Sequence, residues 1–212
     1  MHDLTSDPQF QNLEKEYKFL ARARGETLND LECIIVDIET TGLEPTQHEI
    51  TEIGALKIKG SGVIDVFSKL IKPKASIPAN ITKLTGIDDD MVKDSPPAEV
   101  VLPQFFEFIG KHPLIAHNSD FDIPFIKHHM QKAAGKELTN PIGCTLKLSR
   151  FLLPNLFNHK LHTVASHFGI TVANRHRAMG DVELTFQVWV KFIDLLKGKG
   201  INSWKDLSGR GL

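Results

Sequence analysis

The run Cys33-Ile34-Ile35-Val36-Asp37-Ile38-Glu39 ends an apolar stretch in two carboxylates spaced i and i+2. Side chains two apart on a strand share a face, so Asp37 and Glu39 are expected to project together. Two close carboxylates resist joint ionisation unless a cation lies between them, and hard oxygen ligands suit Mg²⁺ or Mn²⁺. A second acidic segment is His117-Asn118-Ser119-Asp120-Phe121-Asp122, and a third is Asn174-Arg175-His176-Arg177-Ala178-Met179-Gly180-Asp181. Each alone has an ordinary reading: a strand end with solvated acids, a helix cap, a polar surface loop. Together they supply Asp37, Glu39, Asp122, Asp181 and His176. Four carboxylates can bridge two divalent ions about 4 Å apart, which clamp the attacking water and the leaving oxygen of a phosphodiester. A histidine that titrates near neutral pH can take the proton of that water.

The elements that must hold these residues can be read from local pattern. Residues 32–38, 50–59 and 62–71 read as strands, the last two joined by a Gly60-Ser61-Gly62 turn that favours a hairpin. Short helices are expected over Pro78–Leu84 and Asp88–Lys93, and a longer one over Pro97–Ile109 with Val101, Phe105 and Phe108 on its apolar side. Leu114–His117 reads as a short buried strand followed by a helix to about Ala134, on which Asp120 and Asp122 cannot share a face. Further helices are expected near Thr145–Leu153, Leu161–Phe168 and Ala178–Leu196, the last with a stripe of Val182, Phe186, Val190 and Ile193. Asp181 then falls in the first turn of that helix, with His176 in the loop before it. The order of elements, a meander followed by alternating strands and helices, indicates a mixed α/β sheet.

Ahead of this core, Asp7-Pro8 fits a helix start, and Phe10, Leu13, Tyr17 and Leu20 recur at helical spacing. This N-terminal helix reads as a satellite of the main domain, with a partner-docking or dimer role left open. Three units follow: a helical extension over residues 1–30, a core over 31–197 and a short tail over 198–212. Residues 25–30 and the Gly-containing stretch after Leu196 read as linker-like.

The 212 residues suit one domain with an extension, at 41% hydrophobic and 24% charged. No apolar run approaches a membrane span, the N-terminus lacks the basic and apolar parts of a secretory signal, and Cys33 and Cys144 suggest neither a disulfide framework nor a zinc site. A reducing cytoplasm is the expected compartment. The net charge of −1 neither demands nor excludes a nucleic-acid partner, because an enzyme gripping a few terminal nucleotides needs no basic surplus.

With these residues in order, the chain resembles the DEDDh 3′–5′ exonucleases, the superfamily that includes the proofreading epsilon subunit of bacterial DNA polymerase III. The resemblance runs from about residue 31 to 195. It rests on Asp37-Ile38-Glu39-Thr40-Thr41-Gly42, on His117 to Asp122, and on His176 to Asp181, with Ile81–Ile87 and His159–Ala165 as further landmarks. It implies a ribonuclease H-like fold, a five-stranded mixed sheet flanked by helices on both faces. It also implies two Mg²⁺ or Mn²⁺ ions and release of nucleoside 5′-monophosphates from single-stranded 3′ ends, DNA being favoured and RNA the alternative. By the same resemblance Asp37 meets both ions, Glu39 and Asp181 complete the first, Asp122 holds the second and His176 is the base. For substrate, the Thr40-Thr41-Gly42 turn offers backbone groups, Leu84 and Ile87 wedge against bases, and Asn118 and Phe121 line the groove. A DNA polymerase or a replication or repair protein is the implied partner, although no β-clamp-binding peptide is evident after the last helix. A non-catalytic polymerase-associated subunit is the rival from another class, and full retention of the acids and His176 argues against it.

Overall fold

The computed structural model describes residues 27–171 and 177–210; the expected N-terminal helix and His176 lie outside them. Strands β1 (Glu32–Thr40), β2 (Ile50–Lys59), β3 (Gly62–Leu70), β4 (Leu114–Ala116) and β5 (Ile142–Cys144) form one sheet in the order β3-β2-β1-β4-β5. β1–β2 and β2–β3 pair antiparallel, and β1–β4 and β4–β5 pair parallel, which makes the mixed sheet expected. The helices are α1 (Ala79–Thr85), α2 (Asp89–Val92), α3 (Ala98–Ile109), α4 (Ser119–Ala134), α5 (Thr145–Leu152), α6 (Leu161–His167), α7 (Ala178–Gly198) and α8 (Trp204–Ser208).

The alternation of β1 divides the core in two. Ile34, Val36 and Ile38 pack with Phe105 of α3 and Phe125 and Ile126 of α4. Cys33 and Ile35 face the other way, onto Val188, Trp189 and Phe192 of α7. A strand buried on both faces reads as a continuous apolar run, as 33–36 does. Asp37 and Glu39 continue the odd positions and so belong to the α7 face. None of the described helices is long and apolar enough to cross a membrane.

Three local expectations differ from the structure. β5 was not legible as a strand, because three residues with a central glycine show no periodicity. The buried residues of α7 are Ala178, Val182, Leu184, Thr185, Val188, Trp189, Phe192, Ile193 and Leu196, whereas Phe186 and Val190 are half-buried. Successive steps of four residues drift by about 40° each on a helix with 3.6 residues per turn, so the true stripe alternates steps of three and four. The stretch after α7 is not a linker: Ile201, Trp204 and Leu207 are buried in the α7-side core. A reciprocal cap between Ser203 and Asp206 starts α8, and a bridge between Thr27 and Ser203 ties it to the segment before β1. Leu28 adds a 2.7 Å hydrogen bond from its N–H to the Asn202 carbonyl.

Candidate active site

Two carboxylates leave β1 toward α7, and a third comes from the helix itself. Ligand oxygens of Asp37, Glu39 and Asp181 all lie within 4.8 Å of one another. Asp122 sits in the first turn of α4, 3% exposed, and its charge bears on Asp37. Asp120, two residues earlier, points to solvent and pairs with Lys147 at 3.0 Å, so the two acids do take different faces.

The acids are held in a setting that disfavours their charge. Burial, then the neighbouring Asp122, Glu39, Asp181 and Glu52, raises the Asp37 carboxyl well above its ordinary range. Glu39 is pushed up to about 8 by burial and then by Asp181, Glu52 and Asp122, against the pull of Arg177. Asp122 rises to about 7 by burial, offset in part by hydrogen bonds from its own backbone and that of Ile38. Oxygens this close and this poorly solvated match the donor set of a hard divalent ion, whose charge relieves the repulsion.

The approach of α7 to the sheet is built from residues that motif spacing does not mark. Glu52 on β2 stands opposite Glu39, so the two share a face, and it is only 2% exposed. Its carboxylate accepts from Arg177 Nε at 3.0 Å, from Arg177 Nη2 at 2.8 Å and from the Ala178 backbone N–H at 3.1 Å. It thereby caps α7 from across the sheet, satisfying a donor that the helix leaves unpaired. Gly54, opposite Asp37, makes room: a Cβ there would lie 2.8 Å from the backbone of Ala178 and Met179. The available signal was a carboxylate inside the apolar strand Ile50–Leu56, which only a buried partner explains.

The turn after β1 is braced internally. Its register shifts between Glu39 and Thr40. Thr40 Oγ1 donates to the Gly42 carbonyl at 2.6 Å, and Thr41 exchanges backbone and side-chain bonds with Glu49 at 2.8 and 2.9 Å. Gly42 lies against the His48 ring, where a Cβ would fall 2.1 Å from it and push that side chain aside. Across the site, Asn118 precedes α4 with φ 75° and ψ 51°, a left-handed conformation unusual for a non-glycine residue. Phe121 is half-buried, its ring 5.2 Å from that of Phe125.

Leu84 and Ile87 part company. Leu84 is 56% exposed on α1, but Ile87 is 0% exposed and packs with Ile77 and Val92. The expectation that Ile87 wedges against a base is therefore corrected: its side chain anchors α1 and α2 and offers no free surface. His117, which no role was given beyond its motif, is a tether. Its Nε2 donates to the His159 carbonyl at 3.0 Å and its Nδ1 accepts from Thr145 Oγ1 at 2.9 Å. Burial lowers its pKa to about 4, which keeps the ring neutral in that role.

This arrangement has close counterparts. The RNase_T exonuclease family model matches residues 34–189. The chain is 43% identical over 177 residues to the PolC-type DNA polymerase III of Caldanaerobacter subterraneus subsp. tengcongensis, covering 84% of this chain and only 13% of that much longer protein. It is 35% identical over 183 residues to the DNA polymerase III epsilon subunit of Aquifex aeolicus, covering 86% of this chain and 91% of that one. Among solved structures, exonuclease X in complex with 5′-overhanging duplex DNA superposes with a TM-score of 0.61 at 25% identity, over 79% of this chain and 93% of that one. The five-stranded mixed sheet with its flanking helices is the ribonuclease H-like fold of these exonucleases, and the chain belongs to the exonuclease family.

Proposed function

We propose that this protein is a divalent-metal-dependent 3′–5′ exonuclease that hydrolyses single-stranded DNA ends and releases nucleoside 5′-monophosphates. The observation that carries the reading is the convergence of the half-buried Asp37, Glu39 and Asp181 oxygens within 4.8 Å, beside the buried Asp122. Asp37, Glu39 and Asp181 would hold one such ion, and Asp122 together with Asp37 a second. When bound, such ions lower the pKa of water and stabilise charge on the leaving oxygen. His176, five residues before Asp181, takes the proton of the attacking water. The Thr40-Thr41-Gly42 turn, Leu84, Asn118 and Phe121 orient the terminal nucleotide. DNA is favoured over RNA because the relatives described above are DNA polymerase III proteins, and the same likeness points to work in the cytoplasm beside a polymerase.

The test is digestion of equal-length 5′-labelled DNA and RNA with Mn²⁺ or with EDTA, beside Asp37→Ala. The expected result is a Mn²⁺-dependent ladder shortening from the 3′ end of DNA, lost by a factor of about 10³ or more in the variant. Cleavage that survives EDTA or Asp37→Ala would remove the metal assignment, and a faster RNA ladder would reverse the choice of polymer.

A further inference from the structure

Along the edge of the sheet that carries the acids lies a second feature with no assigned use. β1, β4 and β5 run parallel, so their C-terminal ends emerge together. Ile35 pairs with Ile115, and two residues further on come Asp37 on β1 and His117 after β4. Neighbouring strands stand about 4.8 Å apart, so the space beyond β4 and β5 begins one strand from the acid cluster. A hollow of about 560 Å³ occupies that space, reaching from Asn118 across Leu146 and Leu161 to Arg150 and Lys160. Its size suits a nucleotide.

The lining differs in charge from the acid cluster beside it. None of the residues that line it is acidic. Arg150 and Lys160 are exposed, and among the described residues neither has a carboxylate partner within 4.0 Å. Lys147, one turn from Arg150 on α5, is by contrast neutralised by Asp120. The wall is held firmly: the His117 ring joins the end of β4 to Thr145 and His159, and His159 Nδ1 contacts Ser149 Oγ at 3.1 Å. Two unpaired cations over an apolar floor are what a sugar–phosphate chain with a stacked base requires.

Direction follows from the strand order. The Thr40–Gly42 turn is tied to Glu49 and so leans to the β2 side of β1, whereas the hollow lies on the β4–β5 side. An exonuclease needs room for one nucleotide beyond the scissile bond and an open path for the rest of the strand. We infer that the hollow receives the nucleotide on the 5′ side of the scissile bond, with Arg150 and Lys160 contacting the strand phosphates. This inference rests on the nuclease reading above.

Two substrates separate the possibilities. A single-stranded oligonucleotide occupies the hollow and presents its phosphates, whereas the p-nitrophenyl ester of thymidine 5′-monophosphate carries the scissile phosphodiester with a nitrophenol leaving group and no nucleotide or strand phosphate on its 5′ side. For Arg150→Ala with Lys160→Ala, the oligonucleotide KM is expected to rise about tenfold with kcat little changed, the pattern of lost uniform binding. The slope of log affinity against log salt should fall by about 1.4, at roughly 0.7 per single-strand phosphate contact. Turnover of the nitrophenyl ester should stay within about twofold, and Arg150→Lys should restore most of the salt slope. Anisotropy of a fluorescein-labelled oligonucleotide in Ca²⁺ reads the same binding loss without cleavage, so it stands even if the protein cuts nothing. Unchanged oligonucleotide affinity and salt slope, or no binding by the unaltered protein, would overturn the inference. An equal fall on the small ester would also overturn it, by placing the two cations in folding or chemistry instead of on the strand.

Discussion

At the scale of single residues the site is defined by charge held where charge is unwelcome. The folded-state pKa values of Glu39 and Asp122, about 8 and about 7, lie above the ordinary carboxylate values of 4.5 and 3.8. Between those limits the folded protein binds more protons than the unfolded chain, so stability falls as pH rises. The metal-free protein should therefore melt highest near pH 5 and lose stability steadily toward pH 8.5. Saturating Mn²⁺ should reverse the trend, because metal binds the ionised form and only the folded chain assembles it. Thermal melts over that pH range, with EDTA and with Mn²⁺, check both signs; a flat metal-free profile would mean that the acids are not mutually strained. By the same argument Asp37→Asn should raise the melting temperature in EDTA while abolishing the Mn²⁺-induced increase. These acids were legible in the sequence because chemistry demands their type and spacing. Ile87 was misread as a base contact because motif position carries no information about burial.

At the scale of elements, the decisive contact is the docking of α7 on β1 and β2. Asp181 reaches Asp37 and Glu39 because Glu52 grips the start of the helix and Gly54 lets it come close. Arg177→Met leaves a buried carboxylate with its strongest partner gone, which should destabilise by about 1–3 kcal/mol, discounted because Arg177 is itself partly exposed. The larger effect should be on assembly: Mn²⁺ affinity, read by calorimetry, is expected to weaken about tenfold, with partial rescue by Arg177→Lys. A variant that lost stability but bound Mn²⁺ unchanged would show that the pair only holds the helix. Gly54→Val should be harsher, since the added atoms meet backbone, and should depress activity even in preparations that remain folded. The elements themselves were well marked by periodicity, β2 and α3 to within a residue at each end. What spacing could not convey was how the pieces meet, because Glu52 and Arg177 are 125 residues apart in sequence.

For the molecule as a whole, the α7-side core is closed by the segment that composition suggested was a tail. Trp204, 8% exposed, lies over Gly143 of β5, where a Cβ would come 3.0 Å from its ring. Trp204→Ala should destabilise the domain by about 3–5 kcal/mol in urea denaturation, by the usual loss for a buried large aromatic. Turnover per folded molecule should change little, because Trp204 packs over Gly143 and supplies no group to the acid cluster. Ile201, Trp204 and Leu207 at steps of three, with Ser203 and Asp206 between them, were the available signal. It was overlooked because three apolar residues among glycines fall short of a full helical stripe.

The bridge from Thr27 to Ser203 has a further implication. It sets the stretch that leads into β1 beside the start of α8, so the two flanks of the domain are joined across Thr27 and Ser203. A unit whose two ends meet can be spliced into a host polypeptide as a cassette without stretching either junction. In the PolC-type relative the matching region is 13% of the chain, so a sequence like this one also occurs inside a far longer protein. A graft of residues 27–208 into an exposed hairpin of an unrelated carrier should therefore leave both partners folded, whereas a unit with ends on opposite faces would tear its host apart.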